Sequence, residues 1–146
     1  MPEAEHISVA IVGSGGAGAL TAGNFLLEAA SLAGWHGLLT RTVGPQIRGG
    51  EAAALLRLAN RPVECLADRL DLLVGIDWQN VDRFGAEIEV GPQTLVITDP
   101  ASGDLPAFVG RAGARSAPNP VISLPETSQR CAARDVGGGK RNPKSS

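Results

Sequence analysis

The chain contains no tyrosine, and aromatic residues make up only 3% of its 146 positions. Proteins that hold single-stranded nucleic acid stack bases on aromatic side chains, so that class of ligand has few platforms here. Cysteine is as scarce. Cys65 and Cys131 stand far apart, and neither belongs to a C-x-x-C pair. No iron–sulfur or zinc site is therefore expected within the chain, and the thiols read as unpaired in a reducing compartment. His6 and His36 lack a companion Asp, Ser or Cys pattern and read as surface or boundary residues rather than general bases. There is no nucleophile elbow. Lys140 follows glycines but lacks the Ser/Thr and helix of a P-loop, so no catalytic residue is assigned. No apolar run reaches the roughly eighteen residues of a membrane span. The N-terminal Met1, Pro2 and Glu3 bring no basic flank before an apolar stretch, so no signal peptide is read and the cytoplasm is the expected compartment.

What is present fits one globular domain. Hydrophobic residues make up 43% of the chain, and glycine occurs 19 times. Charge is unevenly spread. Residues 1–109 carry 6 basic and 13 acidic side chains, whereas residues 110–146 carry 7 basic and 2 acidic ones. A basic end of this kind suits a phosphate or an acidic partner, or is simply a solvated tail.

Hydrophobic patterning gives the order of elements. Residues 7–12 form a β-branched, nearly continuous apolar run, which predicts a buried parallel strand. From 17 to 33 the spacing predicts a helix. Thr21, Asn24, Glu28 and Ser31 form its polar stripe, and Leu26, Ala29, Ala30 and Ala33 its apolar one. Gly34 supplies a stop. Further strands are predicted over 37–42, 52–58, 71–77 and 94–98, with a short helix over 80–87. Beyond residue 100 the signal weakens, with an edge strand over 121–124 and a short helix over 126–135. Strand, glycine turn, helix and strand in that order make the first βαβ unit of a doubly wound sheet. The predicted fold is thus α/β: a Rossmann-like, three-layer domain with a mostly parallel sheet.

Gly13, Gly15 and Gly18 satisfy G-x-G-x-x-G between the first strand and the helix. Glycines allow a tight turn and close approach of a ligand to the backbone, and a helix N-terminus offers unpaired N–H groups to a phosphate. A close-packed turn without ligand has the same pattern. An NAD site would also need an acid about twenty residues beyond the last glycine. No Asp or Glu occurs between Ala29 and Gly50, and Arg41 stands near the end of the second strand instead. The expected ligand therefore carries an extra phosphate, as NADP and CoA do. Arg48 has the geometry to pair with a phosphate or with Glu51. Asp77 is read as a helix cap, and Trp78 as a packing anchor or an adenine platform.

Three segments occur in order: Val9-Ala10-Ile11-Val12-Gly13-Ser14-Gly15-Gly16-Ala17-Gly18, then Val43-Gly44-Pro45-Gln46-Ile47-Arg48-Gly49-Gly50-Glu51, then Gly91-Pro92 with Leu95-Val96-Ile97. Together they resemble the gamma-type domain of 2-oxoacid:ferredoxin oxidoreductases, above all the version at the N-terminus of the 2-oxoglutarate enzyme's alpha subunit. The match is close over 9–100 and weaker over 101–142, leaving 143–146 as a tail. The resemblance implies oxidative decarboxylation of a 2-oxoacid to acyl-CoA, with CoA as co-substrate. Thiamine diphosphate, Mg and iron–sulfur clusters would lie on alpha and beta partner domains or subunits, and ferredoxin would be reached through the complex. It implies CoA contacts at Gly13, Ser14, Gly15, Gly16, Ala17 and Gly18, and at Pro45, Gln46, Arg48, Gly49 and Gly50. No metal ligand, nucleic-acid contact or membrane contact is implied for this domain. The family's domain continues past Gly-Gly-x-x-Asn into an apolar helix, whereas this sequence ends at Asn142-Pro143-Lys144-Ser145-Ser146. The last helix is therefore expected to be missing, and the sequence reads as a subunit, a fragment or a truncated product. A stand-alone NADP-binding Rossmann reductase and a purely structural partner remain the other readings.

Overall fold

The computed structural model describes residues 5–14, 18–44, 50–99 and 102–118. Strand β1 (His6–Ser14) runs from solvent into the centre of the molecule, and Ser8 to Gly13 are all buried. Helix α1 (Ala19–Leu32) follows, then β2 (His36–Val43) and β3 (Glu51–Ala59). Shorter strands β4 (Leu72–Gly75), β5 (Leu95–Thr98) and β6 (Arg115–Pro118) complete one sheet in the order β2-β3-β1-β4-β5-β6. A 3-10 helix (Val81–Ala86) follows β4, and the short helix α2 (Ala107–Arg111) precedes β6.

Five of the six strands share one direction, so the sheet is mostly parallel, as the patterning predicts. The exception is β3. It lies antiparallel between β1 and β2, with Ile11 opposite Ala54 and Leu39 opposite Leu56. The expected first βαβ unit is thus split by a third strand. Composition explains the placement. The stretch Ala52-Ala53-Ala54-Leu55-Leu56 is apolar on both faces, which suits a central strand. By contrast β2 carries Thr40, Arg41 and Thr42 and tolerates the sheet edge.

Helix α1 packs on β1, β2 and β3 over Val9, Ile11, Ala54, Leu56 and Leu58. Thr21, Asn24, Glu28 and Ser31 are exposed, as their spacing predicts. The apolar stripe is rotated from expectation: Ala29 and Ala33 are exposed, and the buried line is Ala19 and Gly23, flanked by Leu26, Leu27 and Ala30. Gly23 sets this rotation. A Cβ there would stand 2.6 Å from the Ala54 Cβ, so only glycine lets the helix axis come so near the sheet. Phe25 and Leu32 are left facing outward, 67% and 85% exposed.

The other face of the sheet is covered by the 3-10 helix and α2. Ala10, Val12, Ala53, Leu73 and Val96 meet Trp78, Val81, Phe84, Ile88 and Val109 there. Two polar residues fasten this layer. Asp71 accepts a hydrogen bond from the Ser8 amide at 2.8 Å through Oδ2, which ties the start of β4 to β1. Buried Thr94 donates to the Leu70 carbonyl at 2.7 Å and accepts from the Gly91 amide at 3.0 Å. The 3-10 helix and β5 fall where short elements are predicted, whereas α2 and β6 have no counterpart in the sequence reading. The strand and helix predicted over 121–124 and 126–135 lie outside the described residues.

Candidate functional site

The two glycine-bearing loops leave the sheet at one end. β1 finishes at Ser14, β2 at Val43, and β3 begins at Glu51; Ser14 pairs with Glu51 and Val43 with Ala52. Residues far apart in sequence therefore converge at the carboxyl-terminal ends of β1 and β2. Ligands of open α/β sheets gather at this kind of edge. Of the predicted contact residues, Gly13, Ser14, Gly18 and Gly50 are described and flank this end. Gly15, Gly16, Ala17, Pro45, Gln46, Arg48 and Gly49 lie outside the described residues.

Gly18 opens α1 with φ 84°, the left-handed conformation that glycine adopts without penalty. No side chain caps this helix, and no acid stands in its first turn. Among the described residues no internal anion meets its leading N–H groups, which is the electrostatic condition for receiving an external one.

A chain of polar contacts runs across the same end of the sheet. Ser14 Oγ donates to Asp77 Oδ2 at 2.6 Å, and Asp77 Oδ1 accepts from the Gln79 amide at 2.8 Å. Asp77 is thus not the helix cap expected of it. Asn80 occupies the cap position without a side-chain bond, while Asp77 closes a turn just before it and holds Ser14. Trp78 is 6% exposed, lies over Gly75, and donates from Nε1 to Thr98 Oγ1 at 2.8 Å. That fixes it as a packing anchor and leaves no open ring face for adenine.

Glu51 was weighed in the sequence only as a partner for Arg48. The structure makes it a central member of the site. It is 2% exposed, and its Oε1 faces Nη1 of Arg83 at 3.5 Å. Gly44 closes over it: a Cβ there would lie 2.3 Å from Glu51 Oε1. The sequence signal was present, since a carboxylate heads the all-apolar run of a central strand.

The split βαβ unit changes one inference. In a dinucleotide fold the second strand neighbours the first, so its tip meets the ribose. Here β3 intervenes, and two strand spacings of about 4.8 Å separate the tip of β2 from β1. The missing acid and Arg41 therefore no longer bear on the ribose as the dinucleotide argument requires. Arg41 pairs with Ala54 and so lies on the α1 face of the sheet.

His6 and His36 are exposed at the opposite ends of β1 and β2, away from both loops. Cys65 is an exposed free thiol whose Sγ and carbonyl accept from Arg57, and Cys131 lies outside the described residues. A cavity of about 340 Å³ also lies away from the loops, beside Ser8, Leu55, Leu66 and Leu70 at the start of β1 and β4. We take the loop end as the candidate site, because the end of β1, the start of α1 and the buried Glu51 carboxylate lie at that end of the sheet. Among the described residues no helix is long and apolar enough to cross a membrane.

The family model described as pyruvate ferredoxin/flavodoxin oxidoreductase matches residues 8–136. The ketoisovalerate oxidoreductase subunit VorA of Methanothermobacter marburgensis is 32% identical over 104 residues, which are 70% of this chain and 21% of that protein. Its counterpart in Methanothermobacter thermautotrophicus is 31% identical over 102 residues, 69% of this chain and 21% of that one. The chain thus spans about a fifth of the length of these curated relatives. The fold is shared with a 2-oxoglutarate:ferredoxin oxidoreductase from Magnetococcus marinus, solved with 2-oxoglutarate, coenzyme A and succinyl-CoA. The TM-score is 0.66 at 24% identity, covering 81% of this chain and 20% of that one. It is shared also with the gamma subunit of a keto/oxoacid ferredoxin oxidoreductase from Geobacter sulfurreducens, with TM-score 0.54 at 21% identity, covering 77% of this chain and 58% of that one.

Proposed function

The chain belongs to the pyruvate ferredoxin/flavodoxin oxidoreductase family, and from that membership we propose that it is the CoA-contacting, assembly domain of a 2-oxoacid:ferredoxin oxidoreductase. In that role it takes part in converting a 2-oxoacid and CoA to acyl-CoA and carbon dioxide, with the electrons leaving to ferredoxin. Thiamine diphosphate, its Mg and the iron–sulfur clusters belong, in this reading, to alpha and beta partner domains or subunits. No residue at the loop end of this sheet is assigned to them.

The observation that carries the proposal is the convergence of the two loops. The Ser14–Glu51 pairing sets the last residue of β1 beside the first residue of β3, so that Ser14, Gly44 and Gly50, which flank the two loops, stand at one end of the sheet. The uncapped start of α1 supplies N–H groups and a partial positive charge, worth about 0.3–2 kcal/mol toward a phosphate. Ser14, held by Asp77, keeps the end of β1 in place. The chain's own work is to bind and orient CoA and to dock the partners.

The proposed substrate is 2-oxoglutarate, supported by the motif resemblance and by the fold shared with the Magnetococcus marinus enzyme. Ketoisovalerate, named for the two VorA relatives, is the competitor to place beside it. A nicotinamide-dependent reductase is disfavoured by β3, which removes the neighbouring strand that a dinucleotide ribose uses.

Two measurements test the proposal. Calorimetric titration of the 146-residue chain should show CoA binding more tightly than NADP or NAD. Co-expression with thiamine-enzyme alpha and beta partners should give a complex that reduces ferredoxin with 2-oxoglutarate and CoA. Tighter binding of NADP, or nicotinamide turnover by the chain alone, would refute it; faster turnover of ketoisovalerate would correct the substrate only.

A further inference from the structure

Glu51 is buried to 2% exposure, yet among the described residues only one of its carboxylate oxygens is engaged. Oε1 meets Arg83 at 3.5 Å, a long contact from a side chain that is itself 53% exposed. Oε2 is fully buried and has no hydrogen-bond partner among the described residues. Buried polar atoms are nearly always paired, so an orphan of this kind asks what completes it. It is not a remote core atom. It stands opposite Ser14 at the end of β1, against Gly44, where both loops leave the sheet.

The chemistry of the orphan restricts its partner. A carboxylate oxygen accepts hydrogen bonds and repels phosphate oxygens. The neighbouring polar group at this end, Asp77, is also acidic and is already bonded to Ser14 and Gln79. Alternation along the strands puts Glu51 with Ser14 on the 3-10-helix face, since the register pairs Ala53 with Val12 and both face that layer. Arg41 and α1, whose first turn holds no acid, lie on the opposite face. The end of the sheet thus separates two environments. One is fitted to phosphates, and the other to neutral groups bearing N–H or O–H donors.

We propose that Glu51 Oε2 is the receptor for the amide and hydroxyl donors of the pantetheine arm of CoA, with the phosphates held on the α1 face. The inference rests on the CoA reading and goes beyond it, because it divides the ligand between the faces of the sheet and names the residue that selects the arm. Glu51 is on this account a binding residue, and Arg83 a positioning residue that steadies its other oxygen.

The test uses three ligands on the 146-residue chain: CoA, pantetheine, which lacks the phosphates, and adenosine 3′,5′-bisphosphate, which lacks the arm. Glu51→Gln keeps the shape but turns an accepting oxygen into a donor. It should weaken CoA and pantetheine about tenfold, the effect of one lost charge-assisted hydrogen bond, and leave the bisphosphate within about twofold. Carboxyl carbon NMR on the unsubstituted chain gives a reading that needs no variant. Pantetheine should move the Glu51 resonance, and the bisphosphate should not. Equal weakening of all three ligands, weakening of the bisphosphate alone, no change at all, or a Glu51 resonance that follows only the bisphosphate would each overturn the proposal. If the unsubstituted chain fails to bind CoA, the CoA reading itself falls and this inference with it. Intact CoA binding by Glu51→Gln removes this inference alone.

Discussion

Gly75 is the position where a single methyl group should do measurable damage. It ends β4 directly beneath Trp78, and a Cβ there would stand 2.0 Å from Trp78 Cζ2 and 2.4 Å from Cε2 and Cη2. Carbon atoms in contact prefer about 3.5–4.0 Å, so the indole must retreat by roughly 1.5 Å. It has little room, because it is 6% exposed among Leu73, Val81, Phe84 and Val96. It is also tethered by the 2.8 Å bond from Nε1 to Thr98 Oγ1. Overpacking of this kind costs about 1–3 kcal/mol, and loss of the tether about 1 kcal/mol more. Alanine recovers about 0.5–1 kcal/mol because glycine loses more backbone freedom on folding. Gly75→Ala should therefore destabilise the chain by about 2 kcal/mol net. Urea unfolding followed by far-ultraviolet circular dichroism measures it, a readout that survives replacement of Trp78. Combining Gly75→Ala with Trp78→Leu should cost at least about 1 kcal/mol less than the sum of the single effects, since the smaller side chain leaves room for the methyl. A Gly75→Ala chain within about 0.5 kcal/mol of the parent, or fully additive effects in the pair, would refute the packing account.

Thr94→Val should cost about 2 kcal/mol in urea unfolding, because it strands the Leu70 carbonyl and the Gly91 amide together, whereas Thr94→Ser should keep most of the stability. Near-equality of the two variants would show that neither bond matters. Glutamate at both Phe25 and Leu32 should leave the isolated chain's unfolding midpoint nearly unchanged, since both side chains already face solvent. Under the proposed function, the same double change should prevent co-purification with the alpha partner, for which we take this apolar ridge on α1 to be the docking face; normal assembly would place the interface elsewhere.

Much of this protein is local and was legible as such. The run from Ile7 to Val12 is long enough and β-branched enough to be a buried strand in almost any context, and the glycines after it allow one sharp turn. The polar stripe of α1 follows from helical spacing alone. The composition of the second loop says turn and nothing more, and only the family resemblance links it to CoA.

Other features depend on neighbours that sequence order does not reveal. The alanine- and leucine-rich stretch reads as a strand from sequence, but only long-range pairing decided that it would run antiparallel between β1 and β2. That choice dissolved the dinucleotide argument from the missing acid. The rotation of α1 was set by contact between Gly23 and Ala54, which lie on separate elements. Asp77 looked like a cap because caps precede helices, yet its stronger partner was Ser14, 63 residues away. Glu51 shows the division most plainly. The sequence by itself placed a carboxylate at the head of an apolar strand. Only the tertiary structure buried it, covered it with Gly44 and left Oε2 without a partner among the described residues, because burial and hydrogen-bond satisfaction belong to the packed assembly and not to any stretch of chain.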